Sequence, residues 1–235
     1  MKKIILNTLS IFSIIFIFAL PSHANQMSQE KIEQIIENFL IKNPQFLRSV
    51  LDNYKKDTEL EKKKNAIESL KSLKNPGIFQ KNADVTIYEF FDYNCGYCKS
   101  VVKTIMETIS EDKRINFVFV EFPILSQESY TAAVAALASQ KQNLYNKFHL
   151  SLMKIKGKVD NEKIFKTANE IGLDIQKLKI DMNNSHIAKR LKQNREIAKI
   201  LNLNGTPAFI IGDVIYPGAL TKENLKEIIK KVRES

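Results

Sequence analysis

The chain has 235 residues, a quarter of them charged, a formal charge of +10 and two cysteines. That is too little cysteine for a disulfide framework, and the length suits one sizeable core with an appendage. The lysines are interleaved with Glu and Asp along helical stretches, and no aromatic-interleaved basic patch stands out. The excess charge therefore reads as a solvated surface and no nucleic-acid partner is expected.

Residues 1–24 read as a secretory signal peptide. Met1-Lys2-Lys3 is a basic start, Ile4 to Leu20 is a mostly apolar run, and Ser22 and Ala24 are the small residues before a cut after Ala24. Asn7, Thr8, Ser10 and Ser13 interrupt the run, which argues against a retained anchor. Removal takes Lys2 and Lys3 and no acid, so the charge falls to +8. No later stretch is apolar and long enough to span a bilayer, and a soluble, exported mature protein is expected.

Residues 25–75 predict a helical extension. Ile32, Ile35, Ile36, Phe39 and Leu40 recur at helical spacing, Asn43-Pro44 starts a second helix, and Phe46, Leu47, Val50, Leu51 and Tyr54 line one face of it. Polarity rises from Lys55 to Asn65, apolar residues persist at Leu60, Ile67, Leu70 and Leu73, and Asn75-Pro76-Gly77 ends the helix. The apolar faces need cover, either from the chain's own body or from the same faces in another copy. The polar stalk favours the second, a homo-oligomer.

Residues 76–235 predict an α/β unit. Val85–Phe91 reads as a strand, Cys95-Gly96-Tyr97-Cys98 follows, and Val101, Val102, Ile105, Met106 and Ile109 continue at helical spacing. Arg114–Glu121 is a second strand, parallel to the first. About 126–203 is almost wholly helical, with an alanine-rich piece from Thr131 to Ala138, a break at Lys156-Gly157-Lys158 and a cap at Asp160. Pro207–Ile211, a Gly212-Asp213 turn and Val214–Tyr216 form a hairpin of the glycine-first type, and a helix after Thr221 closes the chain.

A C-x-x-C between a buried strand and a helix start has the arrangement of a thioredoxin-type redox site. Its first sulfur is expected to face the free N–H groups of Tyr97 and Cys98, which favour thiolate. A bridge across two residues closes too small a loop to stabilise much, so the pair points to chemistry rather than scaffolding. Zinc would need more ligands than the cysteines supply; His149 and His186 are not at ligand spacing, and no metal or other cofactor is expected. Glu89 sits among Ile87, Phe90 and Phe91. There it is expected to be buried, with a raised pKa that suits proton transfer with Cys98; the alternative is that strand alternation turns it outward. Tyr93, Tyr97 and Tyr130 are candidates for an apolar lip, although Tyr130 could equally be core, and the two histidines read as structural or solvated.

The order β-α-β, helical insertion, β-β-α, with Glu89-Phe90-Phe91-Asp92-Tyr93 before the cysteines and Gly205-Thr206-Pro207 before the hairpin, resembles the DsbA family over about residues 77–233. These are exported disulfide oxidoreductases with a thioredoxin fold interrupted by a helical domain. The N-terminal helices are similar to the extension of a subgroup, some of whose members are oligomeric isomerases. The resemblance implies a Cys95–Cys98 redox disulfide, Cys95 as exposed nucleophile and Cys98 as buried resolving cysteine. It further implies Thr206-Pro207 as a cis-proline loop that binds client with Gly96 and Tyr97, Glu89 as a buried acid, and a periplasmic location. The partners it implies are unfolded or reduced secreted proteins and a redox partner that reoxidises or reduces the pair. Strongly oxidising members carry Pro-His between the cysteines; Gly96-Tyr97 implies a milder couple, nearer about −180 mV than about −120 mV. Disulfide oxidase is the leading expectation and oligomeric isomerase the second. A chaperone or surface-associated binding protein is the alternative from another class.

Overall fold

The computed structural model describes residues 27–234, and the signal-peptide reading lies outside them. The fold divides into two compact units at Lys55. In the first, helix α1 (Gln29–Lys42) opens where the Ser28 hydroxyl accepts the Lys31 N–H, and α2 (Pro44–Ser72) begins at the proline after Asn43. The Phe39 and Phe46 rings meet edge to face at 5.4 Å. Ile35, Ile36, Val50 and Leu51 nevertheless remain about half exposed.

The second unit is built on a five-stranded sheet of order β1-β3-β2-β4-β5. The strands are β1 (Gly77–Ile78), β2 (Val85–Phe91), β3 (Ile115–Glu121), β4 (Ala208–Ile211) and β5 (Val214–Pro217). Only β2 and β3 pair in parallel, joined by α3 (Gly96–Glu111) as a crossover. Five helices follow β3: α4 (Gln127–Ser139), α5 (Tyr145–Met153), α6 (Asn161–Glu170), α7 (Ile175–Met182) and α8 (Ser185–Ile200). The chain then returns to the sheet and ends in α9 (Lys222–Glu234). This is a thioredoxin fold with a helical insertion.

The two sheet faces bury separate clusters because side chains alternate along each strand. Val85, Ile87, Phe91, Phe117 and Phe119 pack with α3, α9 and the insertion, whereas Phe90, Val118, Val120 and Ile210 pack on the other face. Ala66, Ile67 and Leu70 of α2 belong to that second cluster. Thus the compact unit begins well before residue 76: three small or aliphatic side chains within about one turn anchor the end of α2, after its polar stretch, to the sheet.

The hairpin turn differs from the glycine-first form. Gly212 and Asp213 both have positive φ, 57° and 64°, which makes the turn type I′. Asp tolerates the left-handed region, and the primed turn matches the strand twist. A side chain at Gly212 would also strike Val232, with its Cβ 2.5 Å from Cγ2.

Candidate active site

β2 is a central strand, flanked by β3 and β4 and covered on both faces, so alternation gives Glu89 no solvent side. It falls between Ile87 and Phe91, on the face that carries α3. Glu89 is 1% exposed and its Oε1 has no hydrogen-bond partner. Burial raises its pKa well above the carboxylate range, and the Cys95 sulfur adds to the rise. Of the two orientations open in the sequence, the sheet imposes the inward one.

The antiparallel register of β4 on β2, with Ala208 opposite Phe90, carries Thr206-Pro207 to the point where β2 gives way to the cysteine loop. The Thr206–Pro207 peptide is cis. Cys95 is the N-cap of α3: its Sγ accepts the Cys98 N–H at 3.4 Å, and its thiol donates to the Thr206 carbonyl at 3.1 Å. Of the two expected donors, the Cys98 amide is the one that makes the bond.

Cys95 is 7% exposed, a correction to the expectation of an exposed thiol: the Thr206 carbonyl lies against it. Gly96 and Tyr97 are what stand open beside it, Tyr97 at 71% exposure. Cys98 is fully buried, and both cysteines are free thiols here. Burial pushes the Cys98 thiol far up, and the Glu89 charge pushes it further. A thiolate at Cys98 is therefore a poor resting state and needs a proton when formed.

Two residues that sequence reasoning passed over fix the loop between β2 and α3. Asp92 is buried; its Oδ1 accepts the Asn94 N–H at 2.7 Å, and its Oδ2 accepts those of Ile124 and Leu125 at 2.9 and 3.0 Å. Asn94 reaches the insertion, where its Oδ1 accepts the Val159 N–H at 2.7 Å. Its amide donates to the Val159 carbonyl and to Ser129 Oγ, both at 3.2 Å. Short polar side chains just before a helix start are a local signal for such bonds, but partners this distant carry none.

Tyr93 does not join the lip. It is 1% exposed, and its hydroxyl donates to Glu121 Oε1 at 3.0 Å and lies 3.1 Å from His149 Nδ1. Tyr145 donates to the same carboxyl oxygen at 2.7 Å. Burial holds His149 down to about 3, so the ring is neutral, and it lies 4.1 Å from the Phe119 ring. Tyr130 is partly exposed next to Phe122 and Lys192, and His186 is exposed in the first turn of α8. Among the described residues, no group of three or more His, Cys, Asp or Glu stands ready to hold a metal ion.

A family model described as thioredoxin matches residues 71–231. The chain is 34% identical to a thioredoxin-like oxidoreductase from Silicibacter pomeroyi DSS-3, with a TM-score of 0.66 over 68% of this chain and 92% of that one. It is 28% identical to the thiol-disulfide exchange protein alpha-DsbA2 from Wolbachia pipientis, TM-score 0.68, over 77% and 97% of the two chains. Disulfide bond formation protein D of Bacillus subtilis is 24% identical over 191 residues, 74% of this chain and 85% of that protein. The chain spans about a quarter of the length of other curated relatives it matches, Na(+)/H(+) antiporters of Salinispora species. With the family model covering most of the chain and the Silicibacter protein matched nearly end to end, the chain belongs to the thioredoxin superfamily, in the DsbA-like branch of thiol–disulfide oxidoreductases.

Proposed function

We propose that this protein is an exported, periplasmic oxidoreductase that forms disulfide bonds in secreted proteins through Cys95 and Cys98. The observation that carries the reading is the thiol of Cys95 at a helix N-terminus, against the Thr206 carbonyl, with Cys98 buried one turn behind. The names of the Wolbachia and Bacillus relatives, a thiol-disulfide exchange protein and a disulfide bond formation protein, point the same way.

In the oxidised protein a client thiolate attacks Cys95 Sγ. The Cys95–Cys98 bond breaks, Cys95 joins the client in a mixed disulfide, and Cys98 leaves with the electron pair. Glu89, kept protonated by burial, supplies the proton that Cys98 needs. A second client thiolate then attacks the client sulfur, and Cys95 leaves as thiolate. The client is oxidised by two electrons and the protein is left as the dithiol. A disulfide-bearing redox partner restores the pair by the same exchange in reverse. Thr206 offers backbone groups to an extended client beside Pro207, with Gly96 and Tyr97 as the open rim.

Cys95→Ala is expected to abolish both insulin reduction and the refolding of reduced ribonuclease. Turnover that persists in the variant would overturn the reading.

A second reading, an oligomeric isomerase, is favoured by α1 and the start of α2, whose apolar residues are about half exposed among the described residues. Light scattering of residues 25–235 against 56–235 separates the two. The shorter chain begins at the compact unit and keeps Ala66, Ile67 and Leu70. An oligomer that becomes a monomer on shortening supports the isomerase, and a monomer at both lengths removes it.

A further inference from the structure

A groove of about 710 Å³ runs from Gly96 along α3 to Met106, with the end of α5 and the loop after it as its opposite wall. Its floor is apolar: Val102, Met106, Leu150, Met153 and Ile155. Its charged lining is entirely cationic, Lys99, Lys103, Lys154 and Lys156, and no acid lines it among the described residues. Lys99 is structural, since its ammonium donates to the carbonyls of Ile155 at 2.9 Å and Gly157 at 2.6 Å and so holds the wall in place. The other three ammonium groups are exposed at the rim. Two acids beyond the lining are paired away from it, Glu128 with Lys158 at 2.7 Å and Asp160 with Lys163 at 3.3 Å. Glu107 approaches the rim lysine Lys103 itself, at 3.8 Å, and is 3.1 Å from Lys222.

We propose that this groove selects clients, taking an extended segment in which acidic and apolar side chains flank the reacting cysteine. The inference rests on the thiol–disulfide reading above and names the substrate class of that same site. Gly96 follows Cys95 directly, so the groove starts one residue from the attacking sulfur. From Gly96 to Met106 the helix rises about 15 Å, which is the reach of four or five residues of extended chain, at about 3.3 Å each. Apolar side chains every second residue would meet the floor, and carboxylates between them would meet the rim lysines. Gly96 lacks a side chain at the point where a client enters, and the space around its Cβ position is open. Exposed charge pairs of this kind act on the encounter rate and on the choice of partner.

The test uses the reduced full-length protein and a set of single-cysteine peptides, each carried as its thionitrobenzoate disulfide. Cys95 attacks the peptide sulfur, the peptide joins Cys95, and thionitrobenzoate leaves as a coloured thiolate whose appearance gives the rate. One peptide flanks its cysteine with Glu and Leu, a second with Lys and Leu, a third with Ser and Gly. The thionitrobenzoate disulfide of mercaptoethanol, with the same leaving group and no flanks, is the reference. The Glu–Leu peptide is expected to react about tenfold faster than the Lys–Leu peptide at low salt, with the gap closing as salt rises. Replacing the rim lysines together, Lys103→Gln, Lys154→Gln and Lys156→Gln, should remove the gap and leave the reference rate unchanged. Equal rates for the acidic and basic peptides in the unmodified protein overturn the proposal, and so does a gap that survives the triple replacement. Failure of the reference compound to react would instead sink the oxidoreductase reading itself.

Discussion

Two carboxyl groups lie equally deep in the central sheet, and their surroundings are opposite. Glu121, at the end of β3, accepts hydrogen bonds from Tyr93 and Tyr145, and its backbone carbonyl accepts the Asn194 amide. Glu89, on the neighbouring strand, has an oxygen with no partner and two sulfurs close enough to feel its charge. Burial raises both pKa values well above the usual range. The difference teaches that a buried acid is not by itself a functional one. The Glu121 carboxyl is held by two buried tyrosine hydroxyls, which fix it in place within the core. Glu89 has an unpartnered oxygen beside the thiols, which is the arrangement the proposed proton transfer to Cys98 requires.

The same substitution at the two positions should therefore act with opposite sign. Glu121→Leu deprives two buried tyrosine hydroxyls of their acceptor and should cost about 3 kcal/mol in urea unfolding, while the folded protein exchanges disulfides at nearly the normal rate. Glu89→Leu should slow exchange about 100-fold, as loss of a general acid does, and raise stability by about 1 kcal/mol because an unpartnered polar group is removed. A stabilised Glu121→Leu or a fully active Glu89→Leu would break the comparison.

The pH dependence sharpens it. For an acid whose folded pKa is raised, the native state binds more protons than the unfolded chain above the ordinary glutamate value. Stability is then lost as pH rises from about 4.3 toward the folded pKa, by at most about 1.4 kcal/mol per pH unit for each group. The advantage of Glu89→Leu over the unmodified protein should widen across that interval, as measured by denaturant midpoints at a series of pH values. His149 has the other sign. Its pKa is lowered to about 3, so its contribution is present above about 6.5 and fades as pH falls toward 3. The smallest effect is expected from Tyr145→Phe. Glu121 keeps its bond from Tyr93, and the loss should be about 1 kcal/mol with no change in exchange rate.

Much of this site can be read along the chain because its core is local. A β-rich run, a C-x-x-C and a 3.6-residue apolar repeat place Cys95 at a helix start without any tertiary knowledge. Family likeness supplied Thr206-Pro207, and the meeting of the Thr206 carbonyl with Cys95 depends on the β2–β4 register. Asp92 and Asn94 stayed hidden because their partners are 32 to 65 residues away. Tyr93 was misjudged for the same reason: an aromatic next to a redox motif looks like a surface lip until Glu121 and His149 are brought beneath it. The start of the compact unit was obscured by the lysines and glutamates from Lys55 to Asn65, which conceal how few apolar contacts a helix needs to dock. For α1 and the first turns of α2 the amphipathic pattern was plain, but a pattern of that kind specifies a face and not what covers it.

The most direct test is to trap the nucleophile. Reduced Cys98→Ser protein mixed with a peptide disulfide should accumulate a stable mixed disulfide on Cys95, located by peptide mapping. The matching Cys95→Ser protein, left with only the buried Cys98, should form none. An adduct on Cys98, or no adduct with either variant, would contradict the assignment of Cys95 as the attacking sulfur.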